Sequence, residues 1–241
     1  MKINSNGHLH QLVYFPGIFP VNCYLIEENE SLTLIDAGLP TSYKGIQQAE
    51  AQLGKPLTRI VLTHVHSDHV GSLDKLVELY PGIEVYVSRR DARLMNGDMS
   101  LDAHEAQTPI KGGVPKHLKT RPTQLLDEGD TVGSLQVIEV PGHTPGSIAL
   151  LDTRNRFVIA GDAFQTRGGI AVAGDLRFIF PFPALATWSK ADALQSAQKL
   201  LQLQPALLAI GHGDMIQQPA QQMQRAIQQA ASRWNIVLSL L

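Results

Sequence analysis

From Thr63 to Ser72 the chain reads "THVHSDHVGS", which sets His64, His66, Asp68 and His69 within six residues, after one apolar run and before another apolar-periodic segment. Four titratable groups this close are costly to enclose beside buried segments unless something positive satisfies them. Imidazole nitrogen together with carboxylate oxygen is a donor set suited to divalent zinc. The segment therefore has to fold as a turn that presents its donors to a cation, and the rest of the chain has to frame that turn and complete the set. A metal site is the working expectation.

Three further polar islands end apolar, β-branched segments: "VPGHTPGS" with His143, "IAGDAF" with Asp162 and "AIGHGD" with His212. Each lies beside glycine, which lets the backbone turn sharply, so a donor there projects from a strand end into a shared mouth. The candidate ligands are then His64, His66, Asp68, His69, His143, Asp162 and His212. That is more than the three or four one zinc takes, so the count favours two cations sharing a bridge. A pair of divalent ions outweighs two aspartates and a hydroxide in charge, and zinc draws the pKa of water from ~15.7 towards ~7, so hydroxide is at hand to attack an electron-poor carbonyl. No serine or cysteine nucleophile is required. Asp68 or Asp162 could in addition act catalytically by accepting or relaying a proton.

The frame is legible in outline. Strand-like segments recur ("LHQLVYF", "NCYLIEE", "SLTLIDAG", "RIVLTH", "EVYVS", "LQVIEVPGH", "SIALLD", "RFVIAGD", "ALLAIGHG"), separated by helical patterns. Leu73, Leu76, Val77 and Tyr80 share a helix face. A second helix runs from a cap at Thr187 to a stop at Pro205, and a third follows Pro219 with Met223, Ile227, Ala230 and Trp234 on its buried side. Hairpin signals followed by β-α-β order in each half predict two packed mixed sheets flanked by helices, one α/β domain over residues 1–241. From Arg89 to Pro122 the sequence is polar and Gly/Pro-punctuated, reading as a helix plus a long excursion, either a lid over a cleft or a surface insertion.

The motif set "HVHSDH", "GHTPGS", "GDAF" and "GHG" resembles the metallo-β-lactamase-fold hydrolase superfamily, with matching motifs from "LIDAG" to His212. The resemblance implies a four-layer αββα sandwich with the metals at one edge. Carried over position by position, it implies that His64, His66 and His143 hold a first zinc and Asp68, His69 and His212 a second, with Asp162 bridging and Asp36 supporting the site from behind. Iron or manganese in place of zinc stays open. The implied activity is cleavage of an ester, lactone or thioester of a small molecule by a hydroxide held between the two ions. Among the branches, the chain is similar in length and motif order to lactonases and to thioesterases of the glyoxalase II type. It lacks the tyrosine that the lactonases place after the bridging aspartate, and the basic C-terminal residues that grip glutathione. A mononuclear iron dioxygenase of the same fold and a phosphodiesterase are the alternatives.

For substrate contacts, the segment after Asp162 is rich in aromatics, and Phe19, Phe164, Arg167, Phe180 and Phe182 are the candidates: an apolar wall with one guanidinium would suit an acyl group with a polar head. A net charge of -2 gives no general attraction to phosphate backbones or anionic lipid, so neither nucleic acid nor membrane is expected as a partner. A homodimer is left open. The single cysteine, Cys23, reads as a strand residue, and the start lacks an apolar leader, so a cytoplasmic location is expected. His8 and His10 are expected to face solvent, and His104 and His117 to lie in the excursion.

Overall fold

The computed structural model describes residues 1–238. Seven strands form the first sheet in chain order: Lys2–Asn6 (β1), Leu9–Tyr14 (β2), Val21–Glu27 (β3), Leu32–Ile35 (β4), Leu57–Val61 (β5), Glu84–Ser88 (β6) and Gln124–Leu126 (β7). The second sheet takes Thr131–Val132 (β8), Leu135–Glu139 (β9), Ile148–Asp152 (β10) and Phe157–Ile159 (β11). A two-strand ribbon, Phe164–Gln165 (β12) and Ala171–Val172 (β13), branches off before that sheet resumes with Leu207–Ala209 (β14) and Ile216–Gln217 (β15). The helices are Tyr43–Leu53 (α1), Ser67–Val70 (α2), Leu73–Leu79 (α3), Arg89–Met95 (α4), Phe182–Ala186 (α5), Lys190–Gln202 (α6) and Ala220–Trp234 (α7).

The layering follows from strands that are apolar on both faces, as strands covered on both sides must be. In β3, Cys23 and Leu25 pack towards α1 and α3 beside Ile46, Ala49, Leu73 and Leu76. Their alternates Tyr24 and Ile26 point the other way, into a core shared with Val137, Ile148, Leu150 and Leu207 of the second sheet. The outer face of that sheet is covered by α6 and α7 through Ala193, Leu194, Ala197, Leu200, Met223 and Ile227. Two mixed sheets face each other with helices outside, the αββα sandwich the motifs implied.

Topology sets the location of the site. Strands β4, β5 and β6 run parallel, so the chain leaves β4 and β5 at the same edge, carrying Asp36 and then Thr63 to His69. Strands β9 and β11 are both antiparallel to β10 and hence run alike, and β14 is parallel to β11. Their ends deliver His143, Asp162 and His212 to that edge too.

Several local expectations change. Helix α6 is capped by Ser189, whose side chain accepts from the Asp192 amide, and not by Thr187. Thr187 is engaged elsewhere: its hydroxyl donates to the Pro183 carbonyl at 2.7 Å and lies 3.2 Å from His143 Nδ1. His10 is buried, not solvent-facing, because its ring folds onto Ser5 Oγ at 2.8 Å, whereas His8 is exposed. The stretch from Arg89 opens with α4 and then runs without regular structure to β7. It is tied down at Trp188, whose Nε1 donates to Thr108 O at 2.9 Å. His104 and His117 sit exposed along it. Among the described residues no helix is long and apolar enough to cross a membrane.

Candidate metal centre

All seven candidate ligands meet at the shared edge of the two sheets. His64, His66 and His143 form one group of converging donors, and Asp68, His69 and His212 another. Donor atoms within each group lie no more than 4.8 Å apart. Asp162 stands between the groups. Its Oδ1 is 3.4 Å from His69 Nε2, and its Oδ2 is 3.3 Å from His143 Nε2 and 3.2 Å from His212 Nε2. Asp68 closes the second group, with Oδ2 3.4 Å from His212 Nε2.

The outer partners of the five imidazoles decide what these donors can do. His69 Nδ1 donates to the Asp36 carboxylate at 2.8 Å, and His212 Nδ1 to the Pro20 carbonyl at 2.7 Å. His66 Nε2 donates to the Lys111 carbonyl at 3.0 Å. The hydroxyl of Thr63 is itself committed as a donor to Asp36, so it accepts from His64 Nδ1 at 3.1 Å. Thr187, committed to Pro183, accepts in the same way from His143 Nδ1. Each ring thus commits one N–H on the outside, and five inner ring nitrogens converge with the carboxylates, those of the neutral rings His64, His66 and His143 bare. Inside, His66 Nδ1 and His143 Nε2 stand 2.9 Å apart with no proton left to share. His64 Nε2, His69 Nε2 and Asp162 Oδ1 are buried without any hydrogen-bond partner. Buried acceptors facing one another are costly, and divalent cations are what this donor set fits.

Electrostatics lead to the same point. Burial pushes His64 and His66 below the usual imidazole range and His143 down to about 3, so these three are neutral, ligand-ready rings. Burial also opposes charge on His69 and His212, but Asp162 beside both outweighs it, raising His69 strongly and His212 to about 10. Asp162 resists its own burial penalty through the same two rings and is held well below the carboxylate range. With no cation considered, two protons gather where positive charge is wanted.

Behind the ligands lies a stitching network. Asp36 accepts from the Thr63 amide at 2.8 Å as well as from His69 and the Thr63 hydroxyl. Asp91, fully buried on α4, accepts from the Val65 amide at 3.1 Å, the Thr144 hydroxyl at 2.8 Å and the Gly146 amide at 2.9 Å, binding the His64/His66 turn to the His143 turn. Asn22 and Tyr24 of β3 hold the His212 turn: Asn22 Nδ2 donates to the carbonyls of Ile210 and Gly213, and the Tyr24 hydroxyl to that of Ile210 at 2.6 Å. Gly112 packs edge-on against His66 at φ +87°, a conformation that favours glycine, and a Cβ there would run into the ring. Sequence reasoning missed Asp91, Asn22 and Tyr24. Asp91 looked like one more charge in "RRDARL", and the other two are polar groups inside a strand read only for its apolar alternation.

The cleft over these donors is a cavity of about 470 Å³ lined by Phe19, Leu39, Asp68, Gly112, Phe182 and Leu185 among others. Three of the five substrate-contact candidates gather here. Phe19 touches Phe180 and Phe182, with ring centroids 5.0 Å away in each case, and Phe19 and Phe180 both pack against His212. Phe180 itself is buried beneath the wall. Two candidates are corrected. Phe164 is fully buried in the core between the ribbon and the outer helices, in one cluster with Val172, Leu194 and Met223. Arg167 is drawn away to the Gly17 carbonyl at 2.7 Å, so its guanidinium braces a loop and does not line the cleft.

Comparison with known proteins agrees with this geometry. The family model "Metallo-beta-lactamase superfamily" matches residues 16–212. The chain is 57% identical over 230 residues to the uncharacterized protein YobT of Bacillus subtilis (strain 168), covering 95% of this chain and 99% of that one. It is 33% identical over 214 residues to the probable metallo-hydrolase YflN of the same organism, covering 80% of each. Among solved structures, TTHA1623 in a di-iron-bound form superposes with a TM-score of 0.64 at 29% identity, covering 88% of this chain and 96% of that one. With its fold, its convergent His/Asp donors and a match over most of its length, the chain belongs to the metallo-β-lactamase superfamily.

Proposed function

We propose that the protein hydrolyses an ester, lactone or thioester of a small molecule in the cytoplasm, using two zinc ions held by the seven donors. The supporting observation is the set of five imidazoles whose outer nitrogens are all committed as donors, which leaves five inner ring nitrogens and two carboxylates facing one interior space. His64, His66 and His143 would take one ion, Asp68, His69 and His212 the other, and Asp162, central to both groups, would bridge them. Divalent cations bound there supply hydroxide at neutral pH, by lowering the pKa of water from ~15.7 towards ~7, and polarise a carbonyl.

The chain's own groups do the rest. Asp68, with its side chain 24% exposed, is the carboxylate that faces the cleft, whereas Asp162 is 3% exposed; Asp68 is therefore placed to take up or pass on a proton at its free oxygen. Phe19 and Phe182 exclude water from one side of the reacting carbonyl, and the Lys111–Gly113 segment closes the other through its bond to His66. The test is elemental analysis of the purified protein alongside a panel of lactone, thioester, phosphodiester and β-lactam substrates. Two equivalents of zinc with turnover of a carbonyl ester, lactone or thioester is the expected result. One equivalent of iron with oxygen uptake, or turnover confined to the phosphodiester, overturns the reading.

A further inference from the structure

We infer that the substrate carries an uncharged, extended apolar acyl chain, which lies along a strip formed by Phe19, Leu39, Phe182 and Leu185. The inference rests on the hydrolase reading above only for the position of the reacting carbonyl. The strip begins at the donors, since Phe19 packs edge-on against His212 with ring centroids 5.5 Å apart. It continues on one face of α5, where Phe182 and Leu185, three residues apart on a helix, point the same way. Pro183 and Ala186 of the same helix also line the cleft. These side chains are wet: Phe182 is 52% exposed and Leu185 66%. Contiguous large apolar groups in water at the mouth of a site mark where a ligand's apolar part is buried.

The charge pattern sets the second half of the inference. Among the described residues no lysine or arginine is part of the strip, and Lys111 meets the opposite wall through its carbonyl, which holds His66. Of the two guanidiniums in the aromatic segment, Arg167 is taken by the Gly17 carbonyl and Arg177 by the Asp175 carboxylate. An anionic group along the strip would lose its hydration without a cation to meet it, which is unfavourable. The wall is thus built for alkyl and against carboxylate, sulfonate or phosphate at the far end of the acyl group.

The test measures binding and does not need turnover. Metal-loaded protein is titrated calorimetrically with acetyl, hexanoyl and decanoyl hydroxamic acids, and with the decanoyl compound bearing a terminal carboxylate. Affinity is expected to rise by up to about fourfold for each methylene laid on the strip. The terminal carboxylate is expected to weaken binding by about tenfold or more. In the double variant Phe182→Ser, Leu185→Ser, both sites being exposed, the decanoyl-to-acetyl affinity ratio should fall by about tenfold with metal content kept. A flat chain-length series overturns the inference, as does tighter binding of the carboxylate-bearing compound. A strip that serves a second copy of the chain would give that same flat series, together with a dimer that dissociates in the double variant. If chain-length dependence appears and no ester, lactone or thioester is turned over, the hydrolase reading fails while the apolar strip stands; hydrolysis without chain-length dependence does the reverse.

Discussion

The carboxylate of Asp36 and the ring of His69 are joined at 2.8 Å, and the same carboxylate takes the amide and the hydroxyl of Thr63. Asp36 holds this position from a left-handed backbone, φ 62°, that a non-glycine residue rarely keeps without a reason. One side chain therefore fixes the tautomer of a donor ring and, through Thr63, the orientation of His64. Asp36→Ala is expected to weaken metal binding by about 10–100-fold. It should also destabilise the fold by about 1–3 kcal/mol through the orphaned Thr63 amide. Equilibrium dialysis against zinc and a urea melt measure the two effects separately.

Metal affinity should rise with pH, and the sign follows from the two protonated rings. His69 and His212 have raised pKa values in the cation-free chain, His212 at about 10, so a cation must displace protons to bind them. Below that pH each displaced proton steepens the dependence by up to about tenfold in affinity per pH unit. Without metal, the His212 contribution to stability is fully present below the unfolded imidazole pKa near 6.5 and is lost as pH rises through about 10. Titration with zinc at a series of pH values between those limits should show affinity climbing and protons released; an affinity that does not change with pH contradicts the assigned protonation.

Asp91 contacts no ligand atom of the site, yet its carboxylate accepts from both turns that carry the first group of histidines. Burial raises its pKa to about 6, opposed by the three donors aimed at it and by the charge of Arg90, which favour the ionised form. Asp91→Ala is expected to cost about 1–3 kcal/mol in unfolding free energy. It should also loosen the spacing between His66 and His143, with cobalt substituted for zinc reporting the change in its visible spectrum. An unchanged spectrum in a folded variant would mean the two turns keep their separation without Asp91.

Gly112→Ala places a methyl against the His66 ring and asks alanine to adopt φ +87°. Activity and first-group metal occupancy should both fall, while Gly97→Ala, at φ +80° with open space around it, carries the backbone strain alone. Comparing the two variants by thermal melt and metal content separates the clash from the strain.

What could be read from the sequence divides along a physical line. His64, His66, Asp68, His69, His143, Asp162 and His212 were legible because strand ends followed by glycine leave few places for a side chain to go, and the fold brings all seven to one edge. The apolar double-faced strands gave the two sheets for the same reason. Asp91, Asn22 and Tyr24 were not legible, because their work is done on backbone groups far away in sequence: Asn22 reaches the Ile210 carbonyl across 188 positions. Phe164 and Arg167 were misjudged because composition near a site does not say which way a strand turns. Phe164 faces the outer helices, and Arg167 finds a carbonyl on a loop that precedes it by 150 positions. The cap of α6 moved from Thr187 to Ser189 because Thr187 is held by His143, a contact between residues 44 apart.

The central claim is that two divalent cations share the donors on either side of Asp162, and metal content of the Asp162→Ala variant tests it most directly. Inductively coupled plasma analysis of the purified wild-type chain is expected to give two equivalents, and the variant, folded by circular dichroism, well below two with turnover abolished. A folded Asp162→Ala protein that keeps two equivalents and full activity would contradict the shared site.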